Sequence, residues 1–517
     1  KICGITQGGV SLPHGVQWVG PEVIICYPAG SAIPTLILSL RMSDPPMKAN
    51  LLALVALSLT FLPTVNVQAA TPHGIFTDHM VLQRELPIPV WGTGQPGEKV
   101  SVRMAGHSAE TTVDDQGHWH VELDALPAGG PHRLVIEGHF RAAVRDVLVG
   151  EVWLASGQSN MQWTINRSSE AEKVVAASSH PNIRLFTVPR RSTEEPEWNV
   201  NGAWEVCGPE STPEFSAVAY HFGVALHEKL GIPIGMVSTN YGGTPAEAWM
   251  SKESLAANEM VKYYVDQPRD LSNAQRPYGL YNAMVHPLAP MAVRGAIWYQ
   301  GESNAGRAYE YKTLFPAMIA DWRRAFRQPE MPFLFVQLAP FMDKTSEPGD
   351  SEWAELRDSQ RLTAQNDKRT AMAVITDVGD EKDIHPVWKQ PVGERLALAA
   401  RAIAYGEEVE FQGAEPDTQH VGNALIKIKF SHVAGGLQAK DGPLTGFAIA
   451  GEDGKFVNAT AEIVGQDEVD VRSDAVPEPK YVRYGWANFP QGNLWNGAGL
   501  PTSPFKTDEF RWTTQPK

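Results

Sequence analysis

Apolar and polar residues alternate along the chain from about residue 73 to residue 138. The segments 99–104 and 118–123 place apolar side chains at every second position, as half-buried strands do. Turn-forming residues separate these segments, including Pro96-Gly97 and Asp115-Gln116-Gly117. The pattern predicts a small N-terminal β-sandwich, which we assign to residues 70–144.

From about residue 145 to residue 405, short apolar runs alternate with segments of helical period. This alternation predicts an α/β domain with a parallel sheet covered by helices. The predicted strands are 147–155, 183–188, 234–239, 295–299, 333–338 and 371–376, and the predicted helices are 215–230, 309–326 and 388–405. Strand alternation returns after residue 406 and predicts a C-terminal β domain over 406–517.

The N-terminal part of the chain has the pattern of an export signal. Lys48 precedes an apolar run over 51–62, and Val67-Gln68-Ala69 fits the small-x-small cleavage pattern. The run is shorter than the roughly 20 residues of a spanning helix. We therefore expect a cleaved signal peptide at 47–69 after a doubtful upstream extension at 1–46. The mature protein would be periplasmic or secreted without a membrane span, and a buried N-terminal core helix is the alternative.

Composition narrows the class of protein. Of the 517 residues, 43% are hydrophobic and 20% are charged, which is typical of a globular protein and not of a disordered one. The net charge of -15 argues against a nucleic-acid partner, because phosphate contacts need concentrated positive charge. Cys3, Cys26 and Cys207 are too scattered for a disulfide framework or a thiolate metal site.

In parallel sheets, ligands bind beyond the carboxyl ends of the strands. The first predicted central strand leads into Gly157-Gln158-Ser159-Asn160-Met161, which places a serine hydroxyl at the start of a helix. The serine could equally be a simple helix cap. The nucleophile elbow Gly-x-Ser-x-Gly is absent, because Met161 occupies its last position.

Three further loops follow predicted strands or precede the last predicted helix. Asn240-Tyr241-Gly242-Gly243-Thr244-Pro245 offers backbone N–H groups that a ligand can approach. Gln300-Gly301-Glu302-Ser303-Asn304 offers a side-chain amide, and Asp383-Ile384-His385-Pro386 offers an imidazole beside carboxylates. Taken singly, each is better explained by an ordinary turn or a helix entry.

In this order and combination, the four loops resemble those of sialate O-acetylesterase-like carbohydrate esterases of the SGNH hydrolase superfamily, over nearly all of residues 73–515. The resemblance implies an SGNH-type three-layer parallel sheet, flanked by the small N-terminal and C-terminal β domains. It also implies that Ser159 attacks an acetyl ester and that His385 is the general base. The implied oxyanion hole consists of the Ser159 and Gly243 backbone N–H groups and the Asn304 amide.

The third member of a catalytic triad is open at this point. The superfamily commonly has Asp three residues before His, and this chain has Lys382 there. Either Asp383 orients the imidazole by a different backbone path, or the enzyme works as a Ser-His dyad with a backbone carbonyl as the orienting group. We favour Asp383, whose alternative role is to cap the following helix.

We expect Gln158, Glu302 and Glu247 to contact the substrate, although Glu247 could instead hold the glycine turn. The predicted function is removal of O-acetyl groups from carbohydrates, with no metal or organic cofactor. Acetylated sialic acids and acetylated xylan or other plant polysaccharides are both open as substrates. The rival hypotheses are a carbohydrate-binding protein with a decayed esterase site and a metal-dependent hydrolase. The residues indicate no particular oligomeric state.

Overall fold

The computed structural model describes residues 70–139, 141–266, 273–422 and 424–516. The predicted upstream extension at 1–46 and the predicted signal peptide at 47–69 lie outside these residues. Among the described helices, none combines the length and the apolar character that a membrane span requires.

The strands and helices have the following bounds. The strands are β1 Thr71–Pro72, β2 Val81–Gln83, β3 Ile88–Thr93, β4 Lys99–Met104, β5 His107–Thr112, β6 His118–Leu123, β7 Gly129–Glu137, β8 Arg141–Gly157, β9 His180–Thr187, β10 Trp204–Cys207, β11 Ile234–Asn240, β12 Gly295–Tyr299, β13 Phe333–Val336, β14 Thr370–Ala373, β15 Glu415–Val421, β16 Ile426–Ser431, β17 Leu437–Ala439, β18 Phe447–Ala450, β19 Val457–Asn458, β20 Thr460–Val464, β21 Glu468–Arg472, β22 Tyr481–Tyr484, β23 Leu494–Asn496 and β24 Phe505–Lys506. The α-helices are α1 Ser159–Gln162, α2 Ala171–Ala176, α3 Ala217–Leu230, α4 Lys252–Ala256, α5 Tyr263–Asp266, α6 Ala308–Ala325, α7 Glu352–Asn366 and α8 Gln390–Ile403. Short 3-10 helices lie at Ile165–Arg167, Ala246–Trp249, Asn273–Gln275, His286–Leu288 and Glu302–Arg307, and a π-helical turn lies at Tyr281–Val285.

The central sheet has the strand order β10-β9-β11-β8-β12-β13-β14. Its pairs are parallel except for β10, which is antiparallel to β9. Leu154 of β8 belongs to a core that includes helices α6 and α7, and the adjacent Trp153 belongs to a core with α3 and α8. Neighbouring side chains of a strand point to opposite faces, so helices cover both faces of the sheet. The mixed α/β architecture predicted from the apolar runs is therefore present.

Strand β8 connects this sheet to the N-terminal region. Its first part pairs with β7 and β2, and its last part pairs with β11 and β12. Positions 147–157 are all buried, whereas the preceding positions are mostly exposed or partly exposed. The strand therefore runs across the predicted domain boundary at residues 144 and 145.

The N-terminal strands pack onto the same apolar core as one face of the central sheet. Strands β1, β3 and β6 form one sheet, and β4, β5 and β7 continue into β8. Val90, Val102 and Val121 from these strands share a contiguous cluster of buried side chains with Trp298 of β12. Burial of this kind, rather than any disulfide among the described residues, holds the two regions together.

The C-terminal strands surround a separate core. Their sheets have the orders β15-β16-β21-β20, β19-β18-β22-β24 and β17-β23. Ile428, Val469 and Val482 lie in this core. The C-terminal segment also returns to the central region, where Glu355 accepts hydrogen bonds from the backbone N–H and hydroxyl groups of Thr513 and Thr514.

Helix α7 has no counterpart in the sequence prediction, although each predicted central strand and helix overlaps an observed one. The helix buries polar side chains, among them Glu355, Arg357 and Gln360. Arg357 donates hydrogen bonds to the carbonyl oxygens of Leu338, Ala339, Ala487 and Asn488. The core-facing side of helix α7 therefore lacks the apolar stripe by which an amphipathic helix is recognised.

Candidate active site

The carboxyl ends of three central strands meet at one edge of the sheet. Gly157 of β8 lies opposite Asn240 of β11 on one side and opposite Tyr299 of β12 on the other. Gly157 has φ +134°, and a Cβ atom there would lie 2.1 Å from the Tyr299 carbonyl oxygen. Only glycine fits this close approach, which lets the chain turn directly from the strand into helix α1.

This turn brings Ser159 to His385. The Oγ atom of Ser159 lies 2.8 Å from Nε2 of His385, within hydrogen-bond distance. Ser159 is the first residue of α1, and the backbone N–H of Gln158 is fixed on the Tyr299 carbonyl at 3.0 Å. Ser159 is half-buried, so part of the residue remains accessible.

Asp383 contacts the other ring nitrogen of His385. Its Oδ1 atom lies 3.2 Å from Nδ1 and also accepts a hydrogen bond from the His385 backbone N–H at 2.8 Å. The Asp383 side chain is 56% exposed. Of the two alternatives for the orienting group, the geometry therefore supplies a carboxylate, but a solvated one.

The surroundings of His385 favour its neutral form. Burial lowers the pKa of the imidazole, and the hydrogen bond to Asp383 partly opposes this effect. The ring stacks on Trp163, with ring centroids 5.1 Å apart and planes at 18°. A neutral imidazole whose Nδ1–H points to Asp383 leaves Nε2 free to accept the Ser159 hydrogen.

The glycine loop after β11 lies against Ser159. The Gly242 backbone N–H donates to Oε1 of Gln162 at 2.7 Å, and a Cβ on Gly242 would lie 3.3 Å from the Ser159 Cβ. Gly243 has φ +73°, and its N–H has no acceptor among the described residues. The Ser159 N–H is the first of its helix and has no intrahelical acceptor. Both groups are therefore available to a ligand oxygen.

Asn304 is held in one orientation by its neighbours. Its Oδ1 atom accepts from the Ala246 backbone N–H at 2.9 Å and from the Gln300 amide at 2.6 Å. Its Nδ2 atom donates to Glu247 Oε2 at 3.0 Å. An amide nitrogen has two hydrogens, so one N–H of Asn304 remains for another acceptor.

The three side chains predicted to contact the substrate bond mainly to the protein itself. Oε1 of Gln158 accepts from the backbone N–H groups of Gly301 and Ser303. Glu247 is buried, and its carboxylate accepts a hydrogen bond from Asn304 and pairs with Arg307, so among the described residues it contacts the segment after β12 and not the glycine turn. One oxygen of Glu302 accepts from Asn160, and the other is buried. These contacts tie the three side chains to neighbouring loops, and their contact with the substrate stays a prediction.

A buried polar cluster behind Ser159 was not predicted. Asn160 donates to Glu302 Oε1 at 2.6 Å and to the Ile384 carbonyl oxygen at 3.0 Å, and it accepts a hydrogen bond from the Lys389 ammonium group. We call Asn160, Glu302 and Lys389 the polar hub. It joins the nucleophile turn, the loop after β12 and the loop that carries His385.

Burial changes the ionisation of the hub. It lowers the pKa of Lys389 to about 7 and raises the pKa of Glu302. The Lys389 ammonium group also lies 5.3 Å from the centroid of the Tyr299 ring. Lys389 lies at the amino end of an amphipathic helix, where a lysine normally faces solvent. The sequence pattern around Lys389 therefore does not predict that this lysine is buried in the polar hub.

A serine hydroxyl paired with an imidazole, beside three N–H donors at the edge of a parallel sheet, defines a hydrolase site of the serine-histidine class. Within the described ranges, no group of His, Cys, Asp and Glu side chains is arranged to hold a metal ion.

Comparison with known proteins gives the family. A family model described as carbohydrate esterase, sialic acid-specific acetylesterase, matches residues 149–400. The sialate O-acetylesterase of Homo sapiens is 32% identical over 475 residues, covering 82% of this chain and 90% of the human protein. That of Mus musculus is 34% identical over 420 residues, covering 68% of this chain and 77% of the mouse protein. The chain therefore belongs to the sialate O-acetylesterase family and is a carboxylic ester hydrolase.

A solved structure supports the same family at the level of the fold. The crystal structure of a carbohydrate acetylesterase from Xanthomonas citri is similar, with a TM-score of 0.80 and 41% sequence identity. The match covers 86% of this chain and 100% of that chain.

Proposed function

We propose that this chain is a serine esterase that removes O-acetyl groups from carbohydrates. The 2.8 Å contact between Ser159 Oγ and His385 Nε2 carries the proposal, because it joins a nucleophile to a base. A carbohydrate-binding protein with a decayed site would have no reason to keep this contact. The helix-covered central sheet supports an SGNH-type three-layer fold.

In the first step, His385 accepts the Ser159 proton while Oγ attacks the acetyl carbon. The C–O bond to the sugar then breaks, and the proton on Nε2 passes to the departing sugar oxygen. Water, deprotonated by the same imidazole, next hydrolyses the acetyl-serine and releases acetate. Asp383 keeps Nδ1–H in place and stabilises the imidazolium that forms transiently.

The negative charge of the tetrahedral intermediate develops on the former carbonyl oxygen. We assign its stabilisation to the N–H groups of Ser159 and Gly243 and to the free N–H of Asn304. Because its neighbours already orient Asn304, the donor needs little reorganisation when the charge forms. Glu247 and Gln158 are positioning residues for these loops.

The polar hub has a positioning role in this mechanism. Asn160 links the serine turn to the Ile384 carbonyl, next to His385, and Lys389 fixes the orientation of the Asn160 amide. Removing one member leaves buried polar partners unpaired, which costs more than a surface contact would.

The substrate faces the exposed side of the His385 loop. Trp388 is 55% exposed and Val387 is 47% exposed, so this loop offers an apolar surface next to the imidazole. We propose that Trp388 packs against the sugar ring whose ester is cleaved. The names of the relatives favour an acetylated sialic acid, and acetylated xylan or another plant polysaccharide is the second candidate.

We also propose that residues 70–144, 145–405 and 406–517 act as three domains around this one site.

We further propose that the protein is exported to a periplasmic or extracellular location, which the signal pattern at 47–69 supports. Sequencing the amino terminus of the protein from the exported fraction tests the proposal of export with cleavage. A start near Ala70 supports export with cleavage, and a retained 47–69 segment contradicts it.

The function is tested by acetate release from a panel of acetylated sialic acids and acetylated xylo-oligosaccharides. We expect the wild-type protein to release acetate from one class more efficiently, and the Ser159→Ala variant to release none above background. The function would be refuted by equal release from both proteins.

A further inference from the structure

A second concave site lies in the N-terminal region, away from Ser159. A cavity of about 420 Å³ opens between strands β3 and β6 and the loop that carries Trp198 and Asn199. Trp91, His118 and His73 also contribute to its walls. We call it the Trp198 cleft. It shares no lining residue with the group that surrounds Ser159.

Trp198 is a large apolar ring that is both exposed and fixed. It is 56% exposed, although indole rings are mostly buried in folded proteins. Its ring stacks on His118, with centroids 4.2 Å apart, and lies nearly perpendicular to the His286 ring, with centroids 5.3 Å apart. The Nδ1 atom of His286 is in turn fixed on the Glu197 carbonyl oxygen at 2.9 Å. A rigid aromatic face in a concave site binds a ligand with little loss of side-chain entropy.

His73 contributes a buried hydrogen-bond donor without a partner. Its Nδ1 atom accepts from the Ile75 backbone N–H at 3.1 Å, so the hydrogen of the neutral ring is on Nε2. Burial lowers the pKa of His73 to about 4, which keeps the ring neutral near neutral pH. The residue is 3% exposed, and its Nε2 atom has no hydrogen-bond partner among the described residues. An unpaired buried donor is costly, and an oxygen acceptor in the cleft would remove that cost.

The remaining polar groups suit an uncharged, hydroxyl-rich ligand. Asn199 uses its Oδ1 atom to accept from the Gly74 N–H at 2.7 Å, which leaves its NH₂ group for an acceptor. Asp114 and Arg327 give the walls one acidic and one basic side chain, so no excess charge selects an anion. Asp114 Oδ1 is already bonded to the backbone N–H groups of Gln116 and His118.

We propose that the Trp198 cleft is an accessory carbohydrate site that holds a neutral sugar unit. One C–H face of the pyranose packs on Trp198, and its hydroxyl oxygens accept hydrogen bonds from Asn199 and His73. Such a site retains a carbohydrate chain while the Ser159 site acts elsewhere on it, so local substrate concentration rises without any change in chemistry.

The test measures binding of unacetylated xylohexaose, cellohexaose and mannohexaose to the full chain by calorimetry. These sugars carry no ester, so the result does not depend on the activity of Ser159. We expect at least one to bind, and Trp198→Ala to weaken that binding by about tenfold or more, as loss of an aromatic anchor does. Trp198→Phe keeps an aromatic face and should lose much less affinity than Trp198→Ala.

Val464→Ala is the control, because Val464 of β20 is 38% exposed and lines neither the cleft nor the Ser159 site. We expect it to leave hexasaccharide binding unchanged. The proposal is overturned if none of the three sugars binds at millimolar concentration, or if Trp198→Ala binds them as the wild type does. Binding that is lost in Trp388→Ala and kept in Trp198→Ala places the sugar at the Ser159 site and also overturns it.

Discussion

The Ser159 site and the Trp198 cleft are built in opposite ways. The Ser159 site collects loops from β8, β11 and β12 and from the segment before α8, which are distant in sequence, and locks them with buried hydrogen bonds. The Trp198 cleft is lined mainly by side chains of the N-terminal β-strands and by one exposed ring from a distant loop. Chemistry needs atoms at fixed distances, whereas retention of a ligand needs a face of suitable shape. We therefore expect substitutions to affect catalysis steeply at the first site and gently at the second.

The largest effect is expected for Ser159→Ala. Loss of the nucleophile should lower kcat for a small acetyl ester such as p-nitrophenyl acetate by about 10⁴-fold or more. Ser179→Ala removes an exposed hydroxyl outside the site and should behave as the wild type. Comparable activity in the two variants would show that the hydroxyl of Ser159 is not the attacking group.

Asn304→Ala should have the next largest effect. Removal of one oxyanion donor typically costs about 10²–10³ in kcat, with a smaller change in KM, because the charge forms only in the transition state. Steady-state kinetics on the same ester separate the two constants. A rise in KM at constant kcat would indicate that Asn304 binds the ground state instead.

Lys389→Met tests the polar hub. Loss of the hydrogen bond to Asn160 loosens the link to the His385 loop, and we expect kcat to fall by roughly tenfold, the equivalent of one modest hydrogen bond. An unchanged kcat would mean that the hub stabilises the fold without positioning His385.

The difference in thermal stability between the wild type and Lys389→Met should depend on pH. The pKa of Lys389 is about 7 in the folded protein and has an ordinary value of 10.5. Below pH 7 the folded protein bears the full cost of burying the charge, and that cost is relieved as the pH rises from about 7 to about 10.5. The melting temperature of the wild type relative to Lys389→Met should therefore increase across this window, and a constant difference would contradict the shift.

Asp383→Asn should have a small effect, because the carboxylate is solvated. We expect kcat to fall by about tenfold or less, in contrast to the roughly 10⁴-fold loss when a buried triad aspartate is replaced. The acid limb of the kcat/KM profile lies below pH 6.5 in the wild type, since burial lowers the pKa of His385. Asp383 raises that pKa, so the variant's limb should move to lower pH. A limb that moves upward would contradict the assignment.

The smallest effect on chemistry is expected for Trp198→Ala. Hydrolysis of p-nitrophenyl acetate should stay within about twofold of the wild type, since the cleft and the Ser159 site share no residues. Acetate release from an acetylated polymer should fall by a few-fold, because the chain is no longer retained. Loss of p-nitrophenyl acetate hydrolysis would show that the two sites are coupled.

The sequence predicts the Ser159 site much better than the Trp198 cleft. Gly157, Gly243 and Asn304 follow apolar runs, and the parallel-sheet rule places such loops at one edge. The parallel-sheet rule does not predict the contacts of the Glu247 and Gln158 side chains. A carboxylate or amide in a loop has the same sequence pattern whether it faces a ligand or a neighbouring loop. Lys389 was missed because lysine at a helix start normally indicates solvent.

The Trp198 cleft has no sequence pattern of its own. Trp198 lies in a segment without strand or helix, and its stacking on His118 depends on how two distant segments pack. Helix α7 was missed for a related reason, since its buried side carries Arg357 and Glu355 instead of an apolar stripe. In each case the partner lies far away in sequence, and only tertiary structure brings the two together.

The most direct test identifies the residue that carries the acetyl group during turnover. Protein quenched in acid while it hydrolyses p-nitrophenyl acetate is digested and analysed by peptide mass spectrometry. We predict one acetyl group on Ser159 in the wild type and none on the corresponding peptide of Ser159→Ala. An acetyl group on a different residue, in a Ser159→Ala variant that still turns over, would contradict the assignment of Ser159 as the nucleophile.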